Sequence, residues 1–78
     1  YPNPFRDDFI VKTYLFKQGN VSIELYDIIG SLVTTVDSEK LGTGLHYLNV
    51  EASNLPKGTY LMKMTVGENI FTRTVIKA

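Results

Sequence analysis

The sequence predicts an all-β fold of two antiparallel sheets packed face to face, and three observations carry that prediction. Short runs rich in β-branched and aromatic residues alternate apolar with polar positions, the two-residue period of a strand with one buried side. Clusters of Gly, Pro, Asn and Asp separate those runs, as turns separate the strands of a sandwich or barrel. No stretch carries a convincing helical period, so the chain of 78 residues holds six or seven strands.

The chain begins YPNPF. Each proline fixes φ and extends the residue before it, so Pro2 and Pro4 stiffen a short polyproline-like stretch around Asn3. Residues 1–5 are expected to be a junction to something larger, with Phe5 as an apolar anchor, and residues 6–78 the folded domain. In the first strand Phe9, Val11, Thr13 and Leu15 alternate with Ile10, Lys12, Tyr14 and Phe16. KQGN (17–20) turns the chain, and Val21, Ile23 and Leu25 then alternate with Ser22, Glu24 and Tyr26. DIIG (27–30) reads as a turn in which Gly30 supplies positive φ. Leu32 to Val36 forms a third strand, and DSEKLGTG (37–44) is the longest loop expected.

Further on, LHYLNVE (45–51) sets His46, Leu48 and Val50 against Leu45, Tyr47 and Asn49. SNLPKG (53–58) is a turn cluster. In TYLMKMTV (59–66), Tyr60, Met62, Met64 and Val66 share a face opposite Leu61, Lys63 and Thr65. GEN (67–69) suits a tight hairpin, with IFTRTVIK (70–77) returning.

Size and charge narrow the function. One domain of this length has a net stability of roughly 4–12 kcal/mol, with no cysteine for disulfides or thiolate metal sites. Eight basic and eight acidic residues cancel, which disfavours a nucleic-acid partner. No apolar run is long enough for a transmembrane helix.

Catalytic chemistry finds no constellation. His46 is the one histidine and sits inside a strand, where a structural role is the simpler account. Asp7 and Asp8 resemble a hard-cation site only superficially, because calcium needs six or more oxygens and adjacent strand residues face opposite ways. They read as a solvated strand start. The acidic residues of DSE (37–39) belong to a polar loop. Ser22, Ser31, Ser38 and Ser53 have no evident base, and no nucleophile-elbow or phosphate-loop motif occurs. Neither a cofactor nor an enzymatic activity is expected. The five tyrosines and four phenylalanines could line a sugar-binding surface only where two stand exposed on one face.

The order of the segments YPNPF, VSIELYDIIGSLV, LGTGLHYLNV, NLPKGTYLMKM and TRTVIKA resembles the C-terminal sorting domains of type IX (Por) secretion cargo from the Bacteroidetes. Such domains typically start Pro-Asn-Pro, carry a Leu-x-x-Gly-x-Tyr element and end near a basic strand terminus. The resemblance spans nearly the whole chain. It implies an immunoglobulin-like sandwich of about seven strands and an export address read as a folded domain by the outer-membrane translocon and its shuttle proteins. It also implies passage through the periplasm to the cell surface or medium, where a sortase-like peptidase removes the domain from its N-terminal cargo. The matching positions are Pro2, Asn3 and Pro4 at the junction, Gly58 and Tyr60 in the penultimate strand, and Arg73 and Lys77 at the end. Asp7 and Asp8 depart from the family pattern.

Physical readings stand beside these. Gly58 lets the chain enter a strand without a Cβ penalty, and Tyr60 can bury its ring while its hydroxyl reaches backbone or water, so both could simply determine the fold. Arg73 and Lys77, four apart, share one strand face. They form either an accessible cationic handle for a partner's strand or a charged edge that blunts aggregation. Edge strands of the isolated module invite strand exchange. The alternative function is an immunoglobulin- or fibronectin-like accessory module that binds carbohydrate or spaces domains.

Overall fold

The structure is a computed structural model and describes residues 4–78. Pro2 and Asn3 of the expected junction lie outside the described residues. Six strands follow: β1 (Phe9–Leu15), β2 (Gly19–Tyr26), β3 (Leu32–Leu41), β4 (Gly44–Val50), β5 (Gly58–Val66) and β6 (Asn69–Lys77). β1 pairs with β4 in a two-stranded sheet, and the others form a four-stranded sheet in the order β3-β2-β5-β6. All these pairings are antiparallel. The all-β, two-sheet expectation holds, with six strands among the described residues where about seven were expected.

Alternation places the core. Phe9, Val11 and Leu15 of β1, Val21, Ile23 and Leu25 of β2, Leu48 and Val50 of β4, and Tyr60 and Met62 of β5 all point into one buried cluster. Within each strand these residues belong to one of the two alternating sets that the sequence places on opposite faces, because a two-residue period leaves a strand no other way to bury them together. Phe5, expected to close the junction, is itself 2% exposed and part of that cluster. Its ring packs tilted against Phe9 at 4.6 Å. The junction expected over residues 1–5 therefore contributes a core side chain.

The turns follow local chemistry. Asp27 Oδ1 accepts the N–H groups of Ile29 and Ser31, an Asx-type turn that Gly30 completes at φ 90°. Gly67, at φ 60°, sits first in a two-residue hairpin loop between Val66 and Asn69, the position that favours glycine.

One element departs from expectation. Residues 37–41 are not loop but the second half of β3, which runs on beside β2 as far as the pair Gly19–Leu41. Asn20 Oδ1 accepts the Lys40 N–H at 3.0 Å, and Lys40 takes φ 55° where the register slips. The strand lies at the sheet edge, so polar side chains there meet solvent and do not oppose pairing.

Candidate functional site

Four separate segments meet at one pole of the molecule: Phe5, Asp8, the 52–56 turn and the end of β6. Strand pairing sets Gly58 directly opposite Lys77, with Tyr60 opposite Val75. Three of the four expected recognition residues are thereby brought together. Gly58 takes φ 150°, a backbone conformation that side chains resist, and an added Cβ would meet nothing within 4 Å. Glycine is therefore held there by dihedral preference and not by space. Tyr60 is buried, and its hydroxyl donates to the Pro56 carbonyl four residues upstream. A tyrosine hydroxyl turned back onto the preceding corner locks the turn to the strand that leaves it.

Lys77 corrects the expectation of an accessible cationic tail. It does share a strand side with Arg73, but that side faces the opposite sheet, and Lys77 is only 7% exposed. Its ammonium donates to the carbonyls of Ala52 at 2.5 Å and Ser53 at 2.9 Å. Burying a charge is costly unless it is hydrogen-bonded, and two turn carbonyls meet that need, the Ala52 oxygen accepting the Leu55 N–H at 3.1 Å as well. Arg73 is exposed and lies opposite Met62, roughly 13 Å along the strand from Lys77 at about 3.4 Å per residue. The two cations do not form one surface.

Asp8 was expected to be only a solvated strand start, and it does more. Its Oδ1 accepts the N–H groups of Ala52 at 2.9 Å and Ser53 at 3.2 Å. The same two residues thus have their N–H groups held by an anion and their carbonyls by a cation. The Ala52 N–H is the main cause that holds the Asp8 carboxyl below the ordinary 3.8; partial desolvation opposes it, and Ser53 reinforces it. A depressed folded-state pKa means this contribution is complete above the unfolded value and fades as pH falls through the lower, folded one. Urea unfolding at about pH 5 and about pH 2 should therefore show an acid loss that shrinks in Asp8→Asn. An identical acid loss in both proteins would count against the clamp.

The remaining candidates are structural or separate. Pro4 is exposed. His46 is half-buried on the inner side of β4, and its Nε2–H donates to the Gly42 carbonyl at 2.6 Å. Among the described residues no group of acidic or histidine side chains could hold a metal ion. Tyr14 and Tyr47 both stand exposed on the outer side of β1–β4. They are diagonal neighbours, since Tyr14 pairs with Leu45 and Tyr47 with Lys12, and Phe16 meets the Tyr14 ring edge-on at 5.1 Å.

The Tyr60–Pro56 contact was accessible to sequence reasoning, because the spacing Leu55-Pro56-x-Gly58-x-Tyr60 carries it. The roles of Asp8 and Ala52 had no local signal, since their bond joins positions 44 residues apart.

A comparison with protein families finds that the family model for the secretion system C-terminal sorting domain matches residues 1–78. No curated protein and no solved structure gives a match.

Proposed function

Because the chain belongs to the family of secretion system C-terminal sorting domains, we propose that the export machinery reads it as a folded body whose identity lies in the pole where Gly58, Tyr60 and Lys77 meet. A domain of this family signals export of the cargo protein that carries it through the type IX system, across the outer membrane, and performs no catalysis. The observation that carries the reading is the match along the whole chain, from the Pro-Asn-Pro start to the basic strand end.

Finer points are ours. The translocon and its shuttle proteins are the proposed partners, and a sortase-like surface peptidase is the proposed agent that removes the domain near Pro2, Asn3 and Pro4. The immunoglobulin-like reading draws support from three features. β3-β2-β5-β6 faces β1–β4, as four strands face the remainder in such sandwiches. Phe5 makes a parallel bridge to Lys77, which supplies the beginning of a seventh strand. Tyr60 turns back onto the Pro56 corner. Under this reading Gly58, Tyr60 and Lys77 serve recognition by building the body that is read, and Arg73 serves it by contact.

The test is export of a reporter fused to residues 1–78 in a host that has the system. Deleting residues 73–78 removes the buried Val75 and Lys77 and is expected to abolish export. Arg73→Ala is expected to lower export while costing at most about 1 kcal/mol of stability, the scale of contacts made by an exposed charge. Normal export by the deleted form would defeat the proposal.

A further inference from the structure

We propose that Phe5 and the end of β6 form a latch, which keeps the chain at Phe5 closed to peptidases until a partner lifts residues 76–78. The inference rests on the reading above that the domain is cut from its cargo near this segment.

Both main-chain groups of Phe5 are engaged by the end of β6 and the residue that follows it. Its N–H donates to the Ile76 carbonyl at 2.9 Å, and its own carbonyl accepts the Ala78 N–H at 2.7 Å. Its ring is 2% exposed and packs on Phe9. A peptidase takes its substrate as an extended strand, pairing with the same N–H and carbonyl groups that β6 already occupies. The Phe5–Arg6 bond therefore becomes a substrate only in an opened state.

The latch is braced from a third side. Lys77, between the two residues that hold Phe5, Ile76 and Ala78, is tied through its ammonium to Ala52 and Ser53. Asp8, three residues beyond Phe5, is tied to the N–H groups of that same pair. Lifting the end of β6 removes the Phe5 bridge and the Lys77 bonds in one movement. The pairing of β5 with β6 from Val66–Asn69 to Tyr60–Val75 is left to hold the rest of the fold. The opening is therefore local and not global, the kind of partial unfolding that strand ends undergo. A partner that gripped the end of β6 would free the chain at Phe5 without dismantling the domain, so recognition would come before removal.

Two measurements on the 78-residue chain test this. In amide hydrogen exchange, Phe5 and Ala78 should be protected to within about twofold of each other, and less than Ile23 and Leu25, because one opening event exposes both. Phe5 exchanging at the rate of an unstructured amide beside a protected Ala78 would overturn the latch. In brief chymotrypsin digestion read by mass spectrometry, the cut after Phe16, whose side chain is 90% exposed, serves as the internal reference. The cut after Phe5 should lag it in the unaltered chain and accelerate on the order of tenfold in Lys77→Met, with the reference unchanged. A Phe5 cut as fast as the reference in the unaltered chain overturns the proposal. If Lys77→Met speeds both cuts equally, the variant has opened globally and the exchange result decides. Failure of the sorting reading registers elsewhere, as unimpaired export of the truncated reporter, so the two ideas fall separately.

Discussion

Lys77→Glu is expected to leave the domain largely unfolded at room temperature, and Lys77→Met to leave it folded but weakened. The difference follows from what surrounds the ammonium. In the glutamate variant a carboxylate enters a 7% exposed position that offers the two carbonyl oxygens of Ala52 and Ser53. Neither can donate, and an unpaired buried charge costs about 3–5 kcal/mol. A chain of this size has only about 4–12 kcal/mol to lose. Methionine keeps the apolar stem packed and removes the charge; the Ala52 carbonyl keeps the Leu55 N–H, so the loss is about 1–3 kcal/mol, mainly from the Ser53 carbonyl and the missing charged bond. Urea midpoints would rank the three proteins native, Met, Glu. Export of a fused reporter should follow the same order if the machinery reads the folded body. A glutamate variant as stable as the native chain would mean that the ammonium is not held as described.

The expected ranking would also speak against both readings that the sequence left open for Lys77, since a handle and an aggregation-blunting edge each need it exposed. Four-residue spacing correctly placed Arg73 and Lys77 on one side of β6, because strand periodicity is local. Which end of that side is covered is not local. It depends on the 52–53 turn, 25 residues away in sequence, and on Phe5 at the other end of the chain. No property of RTVIK itself encodes this. The same distinction explains β3. Its first half was legible from Val33 and Val36, whose apolar side chains need cover. Its second half, DSEK, was not, since an exposed edge strand imposes no alternation and its extension comes from pairing with β2. By contrast β1, β2, β4 and β5 were legible apart from the first residues of the last three (Gly19 and Asn20, Gly44, and Gly58, which read as turn), because each has one buried side and slipping by one residue would expose it all.

The Asp8 clamp belongs to the illegible class for a further reason. An aspartate just before a strand suits solvent well, so the ordinary account of the residue suffices locally. Only the folded chain brings Ala52 and Ser53 against it. The contacts of this pole are spread over positions 5, 8, 52–60 and 77, so no single stretch of the sequence encodes it.

Phe5→Ala should be the most damaging single truncation near the start of the described chain, and it tests whether the leading segment belongs to the domain. A ring 2% exposed and packed tilted at 4.6 Å on Phe9 leaves a cavity that its neighbours cannot fully close, and such truncations cost about 3–5 kcal/mol. Phe16→Ala supplies the control with the same chemistry. Its ring is 90% exposed, and the expected change is within about 0.5 kcal/mol. If residues up to Phe5 were merely linker, both variants would unfold at the native urea midpoint. If Phe5 is core, only the first shifts, by an amount comparable to the whole margin of a small cysteine-free domain. The consequence reaches function, because a boundary drawn after Phe5 would remove a core ring. A reporter joined to residues 6–78 should then be exported less well than one joined to residues 1–78, although every strand of the two sheets is still present.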